Sequence, residues 1–206
     1  MALLGGFFGP SKDEVWSQLS KELGAEYSEG GFFKNGKIVL TNNNWEITLD
    51  TYTVHTGKTS ATYTRMRAPY VNKDGFRFRI YRKSIFSWLG KAFGMHDIEL
   101  GDSFFDEDFI IQGEPENKVV KLFSNRKIKD LIQKQLSIHL EVKDDEGWFA
   151  KKFPEGVDEL IFQVGGEIRD IERLKNLFDL FAVVLEELCK IGSAYAEDPG
   201  MSLNEE

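Results

Sequence analysis

Residues 43–83 read NNWEITLDTYTVHTGKTSATYTRMRAPYVNKDGFRFRIYRK, and the alternation within them decides the fold class. Ile47, Leu49 and Thr51 alternate with Glu46, Thr48 and Asp50. Thr64, Met66 and Ala68 alternate with Arg65 and Arg67, and Phe76, Phe78 and Ile80 with Arg77, Arg79 and Tyr81. A period of two sends one set of side chains to a buried face and the other toward water. The stretch therefore predicts a three-stranded antiparallel meander with an apolar side and a charged side.

Upstream, Ser11 and Glu14 form a capping-box pair ahead of Val15, Trp16, Leu19 and Leu23, and Gly24 follows. That spacing predicts an amphipathic helix over 12–23. Gly30-Gly31 and Asn35-Gly36 punctuate short strands near 25–29 and 32–40, and Asn42, Asn43 and Asn44 turn the chain into the meander. Downstream, Ile85, Phe86, Leu89 and Phe93 suit a short helix ending at Gly94, before an acid-rich loop and a strand at 107–112. Pro115 and Asn125 then open a helix pair, the second with Ile128, Leu131, Ile132 and Leu136 on one stripe. Strands follow at 137–142, 147–153 and 158–164. A last helix over about 170–191 carries Ile171, Leu174, Leu177, Phe178, Phe181, Val184, Leu185 and Leu188. Strands in runs, without steady β-α alternation, indicate α+β with mostly antiparallel sheet, a long C-terminal amphipathic helix and a helix pair packed on it. The domain plan is an apolar, loosely ordered leader (1–10), a globular body (11–194) with a subdomain division conceivable near 94–104, and an acidic, disordered tail (195–206).

Composition narrows the function. The chain of 206 residues has 41% hydrophobic residues and 17 Phe, enough for a sizeable core. Its 26 basic and 34 acidic residues give a net charge of −8, which argues against a nucleic-acid binder because phosphate contacts need a basic field. The single cysteine, Cys189, cannot close an internal disulfide and fits a reducing, cytoplasmic setting. No run approaches the roughly 20 apolar residues of a membrane span. Leu3, Leu4, Phe7 and Phe8 in the leader are the candidates for peripheral membrane or partner contact.

Several motifs lead nowhere. Gly57-Lys58-Thr59 is a P-loop fragment with Tyr52 where the first glycine belongs and a strand where the helix belongs, so it reads as a hairpin turn. Asp97, Glu99, Asp102, Asp106, Glu107 and Asp108 are interrupted by Phe104, Phe105 and Phe109 and lack calcium-loop spacing. His55, His96 and His139 are scattered, without zinc or triad spacing. No catalytic residue, metal ligand or cofactor is expected.

The remaining feature is the arginine face. With a simple loop at 69–75, Arg67 would lie opposite Arg77 and Arg65 opposite Arg79, with Tyr63 and Tyr81 extending the face. Like charges across a ladder destabilise it, so something must offset them. One answer is a salt-bridge lattice, with Asp50 opposite Arg65 and Glu46 diagonal to Arg67. The other is recognition of a small anion or an acidic protein segment, which arginine's planar fork suits.

The segments YTRMRAPY, FRFRIYRK, MHDIELGDSFFDEDFIIQG and LIFQVGGEIRDIERLKNLFDLF, with Phe105-Asp106-x-x-Phe109 ahead of the helix pair, resemble uncharacterised bacterial proteins of unknown function over the C-terminal half. The resemblance implies no activity and no site residue. The expected function is a non-catalytic binding or interaction module using Arg65, Arg67, Arg77 and Arg79. The alternative is a hydrolase on an anionic substrate, with those arginines as clamps and an acid from 97–108 as general base.

Overall fold

The computed structural model describes residues 9–31, 36–85, 96–144, 153–201 and 203. Contacts of the apolar leader, the short helix expected to end at Gly94 and most of the strand expected at 147–153 fall outside them. Among the described residues the chain forms five α-helices and nine strands. In order these are α1 (Lys12–Leu23), β1 (Glu26–Ser28), β2 (Lys37–Asn42), β3 (Trp45–Thr56), β4 (Thr59–Asn72), β5 (Arg77–Arg82), α2 (Ser103–Asp108) and β6 (Phe109–Glu114). Then come α3 (Glu116–Phe123), α4 (Arg126–Gln133), β7 (His139–Lys143), β8 (Val157–Gly165), α5 (Ile171–Lys190) and β9 (Ala194–Tyr195).

The local signals act as chemistry requires. Ser11 Oγ accepts from the Glu14 N–H, the Glu14 carboxylate accepts from the Ser11 N–H, and Gly24 closes α1 at φ 66°. Asn43, at φ 55°, makes the two-residue turn between β2 and β3, because Asn tolerates the left-handed region. Gly57, at φ 59°, does the same between β3 and β4, where Thr56 faces Thr59. The region expected to be a loop before β6 contains α2 instead. Asp102 caps it and Phe105 is buried inside. Helix α4 stops at Gln133, so Leu136 leaves its stripe and is 81% exposed.

All nine strands join one sheet in the order β1-β2-β3-β4-β8-β7-β5-β6, with β9 beside β4, and every strand pair is antiparallel. The fold is α+β, and the same sheet runs through both sides of the division considered near 94–104. The meander is only half present. β3 and β4 form a hairpin, but β4 pairs with β8 and β5 pairs with β7 and β6. Three strand spacings separate β4 from β5, about 14 Å, and the five steps from Asn72 to Arg77 reach about 16 Å when extended. The short connection therefore spans two inserted strands. β8 is buried on both faces over most of its length, as a central strand must be, and a neighbour close in sequence gives way to it.

The apolar face of the sheet carries Ile47, Leu49, Met66, Ala68, Phe78, Ile80, Leu140, Leu160 and Phe162, all buried in one core with the helices. Helix α5 contributes Leu174, Leu177, Phe178, Phe181, Val184, Leu185 and Leu188 to that core. The C-terminal tail starts inside the fold. Tyr195 pairs with Val71 in β4 and Leu203 is 6% exposed, so these two tail residues are held by the body.

Gly113 in β6 shows how tightly the edge is closed. A Cβ there would lie 2.5 Å from the Arg77 carbonyl oxygen and 2.9 Å from both Phe78 Cα and Val119 Cγ2. Backbone cannot yield as a flexible side chain can, so Gly113→Ala is expected to cost about 1–3 kcal/mol in urea unfolding. An unchanged midpoint would show that β6 is free to move off β5.

Candidate functional site

The charged face of the sheet is where the sequence placed its site, and the observed register rearranges it. Thr48, Arg67, Ile161, Glu141, Arg79 and Gln112 stand side by side across β3, β4, β8, β7, β5 and β6. Arg67 is therefore opposite Ile161 and Arg65 opposite Gln163, while Arg77 faces Glu114 and Arg79 faces Glu141 and Gln112. The expected Arg67–Arg77 and Arg65–Arg79 pairs do not exist, because β8 and β7 lie between them. Like charges are held apart by the strand order itself.

The expected partner of Arg65 is in place. Asp50 is opposite it, taking Nε at 2.9 Å and Nη2 at 2.7 Å in a bidentate pair. The same carboxylate accepts from Arg67 Nη2 at 3.2 Å. Arg67 is 3% exposed, and its Nε lies 3.8 Å from Oε1 of Glu159, itself 1% exposed. Arg79 Nε donates to Glu141 at 2.8 Å, and Arg77 Nη2 donates to Asp144 at the rim. Each of the four arginines thus has a carboxylate from its own chain nearby.

Two of them nevertheless converge on a common space. A pocket of about 150 Å³ on this face is lined by Tyr52, Arg65, Arg67, Lys143, Glu159, Ile161 and Gln163. The Arg65 guanidinium lies over the Tyr52 ring at 5.0 Å, and Tyr52 stacks on Tyr63 at 5.2 Å between centroids. Tyr52 Oη donates to Gln163 Oε1 at 2.9 Å, which fixes the second wall. Burial raises the Tyr52 phenol above its ordinary value, so it remains a neutral donor at physiological pH. Arg77 and Arg79, on β5 beyond β7, do not line this pocket.

Chain comparisons add no relative. No family model, no curated protein and no solved structure matches.

The sequence reading missed Lys143, Glu141, Glu159 and Gln163. Their only signal is polar residues at alternate positions of HLEVK and DELIFQV, and nothing local says that these strands enter between β4 and β5. The acids of 97–108 are committed elsewhere. Asp97 accepts from Gln112 at 2.9 Å, Asp106 accepts from the Leu100 and Asp102 N–H groups, Asp102 pairs with Lys129 and Asp108 with Arg82. Glu99 and Glu107 are exposed. Among the described residues no three ligating side chains gather for a metal.

Glu141 couples this face to pH. Burial pushes its carboxyl up, but His139 (3.5 Å away), Lys143 (3.1 Å) and Arg79 pull it down further, to about 2 from an ordinary 4.5. A depressed carboxylate stabilises the fold above pH 4.5, and that contribution is lost as pH falls from about 4.5 to 2. The shift corresponds to about 3 kcal/mol. In Glu141→Gln, the stability difference between pH 7 and pH 2.5, read by urea unfolding, should shrink by about 2–3 kcal/mol. An undiminished difference would assign the acid sensitivity to other groups.

Proposed function

We propose that this protein is a non-catalytic binding module that holds a small anion, or an acidic side chain of a partner, in the pocket of Arg65, Arg67 and Lys143. The observation that carries the reading is the charge of the lining. Three cations and one carboxylate surround about 150 Å³, with Tyr52 and Gln163 as polar walls. Asp50 bridges both arginines from the neighbouring strand and Glu141 pairs with Lys143, so the counter-charges stand behind the cations while the lining itself carries three cations to one carboxylate. An isolated carboxylate or phosphate suits that field, and Arg65, backed by the Tyr52 ring, is already oriented to meet it.

A hydrolase has less support. The acids it would need lie around α2 and β6, away from the described lining of the pocket, and the one carboxylate that lines it is the buried Glu159. A reducing cytoplasmic location fits the half-buried Cys189, and no described helix is long and apolar enough to cross a membrane.

Calorimetric titration of the full chain with phosphate, acetate and citrate tests the reading. One of these should bind saturably, raise the thermal midpoint, and lose at least tenfold in affinity in Lys143→Gln and in Arg65→Gln. Failure of all three anions, or binding indifferent to both substitutions, removes the proposal.

A further inference from the structure

The imidazole of His139 stands behind the pocket of Arg65, Arg67 and Lys143 and touches two of the groups that hold its walls. It is 8% exposed on β7 and lies outside the described lining. On β8, Gln163 Nε2 donates to His139 Nδ1 at 3.4 Å. On its own strand, Glu141 Oε1 lies 3.5 Å from His139 Nε2. That same oxygen holds Lys143 at 3.1 Å, while Oε2 of Glu141 accepts from Arg79 on β5. Tyr81, opposite His139 on β5, meets the imidazole edge-to-face at 6.3 Å between centroids. The ring thus faces Glu141 and, through it, Lys143 and Arg79, together with the Tyr81 phenol and the neutral Gln163.

The hydrogen bonds run in one direction. Tyr52 Oη gives its proton to Gln163 Oε1, so the amide turns Nε2 toward the ring, and Nδ1 is the acceptor. The ring proton is then on Nε2, as in a neutral imidazole, and the Tyr52 proton is spent on the wall. A second proton at Nδ1 would set two donors against each other. Half a turn of the Gln163 amide resolves the conflict, because Oε1 then accepts from Nδ1–H and Nε2 donates to Tyr52 Oη. The Tyr52 proton is released toward the cavity. The imidazolium Nε2–H also competes with Lys143 for the same Glu141 oxygen.

We propose that His139 is a positioning residue that strengthens the pocket's hold on an anion as pH falls. The inference rests on the reading of this pocket as an anion site. Protonation of His139 rotates Gln163, gives the anion the Tyr52 hydroxyl as a further donor and loosens Lys143 from Glu141. Histidine changes charge between about pH 5 and 8, a range in which Glu141 stays ionised. By reciprocity, a bound anion raises the proton affinity of His139.

The test titrates the full chain with sulfate, whose own charge is constant over this range, at about pH 5.5 and about pH 8. Affinity should rise about five- to twentyfold at the lower pH. In His139→Asn, whose side-chain oxygen can accept from Gln163 as the neutral ring does, affinity should stay near the wild-type value at the higher pH. The exposed His55 and His96 and the general loss of negative charge are the same in that variant, so they cancel in the comparison. Tyr52→Phe should lose most of the gain. In the unaltered protein, saturating sulfate should raise the His139 titration midpoint read from its imidazole carbon–proton signals. The inference alone is overturned if sulfate binds equally at both pH values, if His139→Asn or Tyr52→Phe keeps the full gain, or if the His139 midpoint does not move. Absence of sulfate binding at either pH removes the anion-site reading and the inference with it.

Discussion

Arg67→Met is expected to remove about 3–5 kcal/mol of stability, the cost of leaving a buried charge without its partner. Arg67 is the most enclosed of the four arginines on the charged face, and it links Asp50 at 3.2 Å to Glu159 at 3.8 Å. Methionine fills much of the same volume, so the loss is electrostatic and not a cavity. Without the guanidinium, Glu159 keeps Lys143 opposite it on β7 but is deprived of the cation diagonal to it on β4. Pairing the change with Glu159→Gln should recover a large part of the loss, because no uncompensated charge then remains buried. Chemical unfolding of the two single variants and the double variant measures the coupling. A cost below about 1 kcal/mol for Arg67→Met would place the pair with ordinary solvated ion pairs and strip the pocket of its rigid wall.

Phe181→Ala in α5 should cost about 3–5 kcal/mol, the usual range for deleting a buried aromatic ring. Phe181 is fully buried in the single core that α5 shares with the sheet and with α1 and α4. A fold of this size has about 5–15 kcal/mol in total, so the variant should unfold at a markedly lower denaturant concentration. The neighbouring Asp179, exposed on the opposite stripe, is the control. Asp179→Ala should change stability by less than about 0.5 kcal/mol. Equal effects at 179 and 181 would mean that α5 does not bury the stripe described.

Much of the local architecture was legible in the residues themselves. Ser11, Glu14 and Gly24 bound α1, and Asn43 and Gly57 mark the two hairpin turns around β3. The alternation of Leu49 and Met66 with Asp50 and Arg65 was sufficient to predict the β3–β4 register and its ion pair. The reason is range. Caps, turns and period-two patterning act over a few residues, and hairpin register follows from turn length together with the need to keep one face apolar.

Strand order was beyond such signals. Phe76, Phe78 and Ile80 in sequence read as the next strand of a meander, yet β8 and β7, some 60 to 90 residues further on, occupy the place beside β4. Burying β8 on both faces is a property of the whole core, and no local pattern in β4 or β5 encodes it. From that one choice follow the separation of the four arginines and the arrival of Lys143 and Glu159 beside Arg65 and Arg67. The sequence by itself determined most of the strands and the apolar side of β3, β4 and β5. Tertiary structure decided which strands are neighbours, because complementary apolar faces far apart in the chain compete for the same edge, and only the assembled core selects among them.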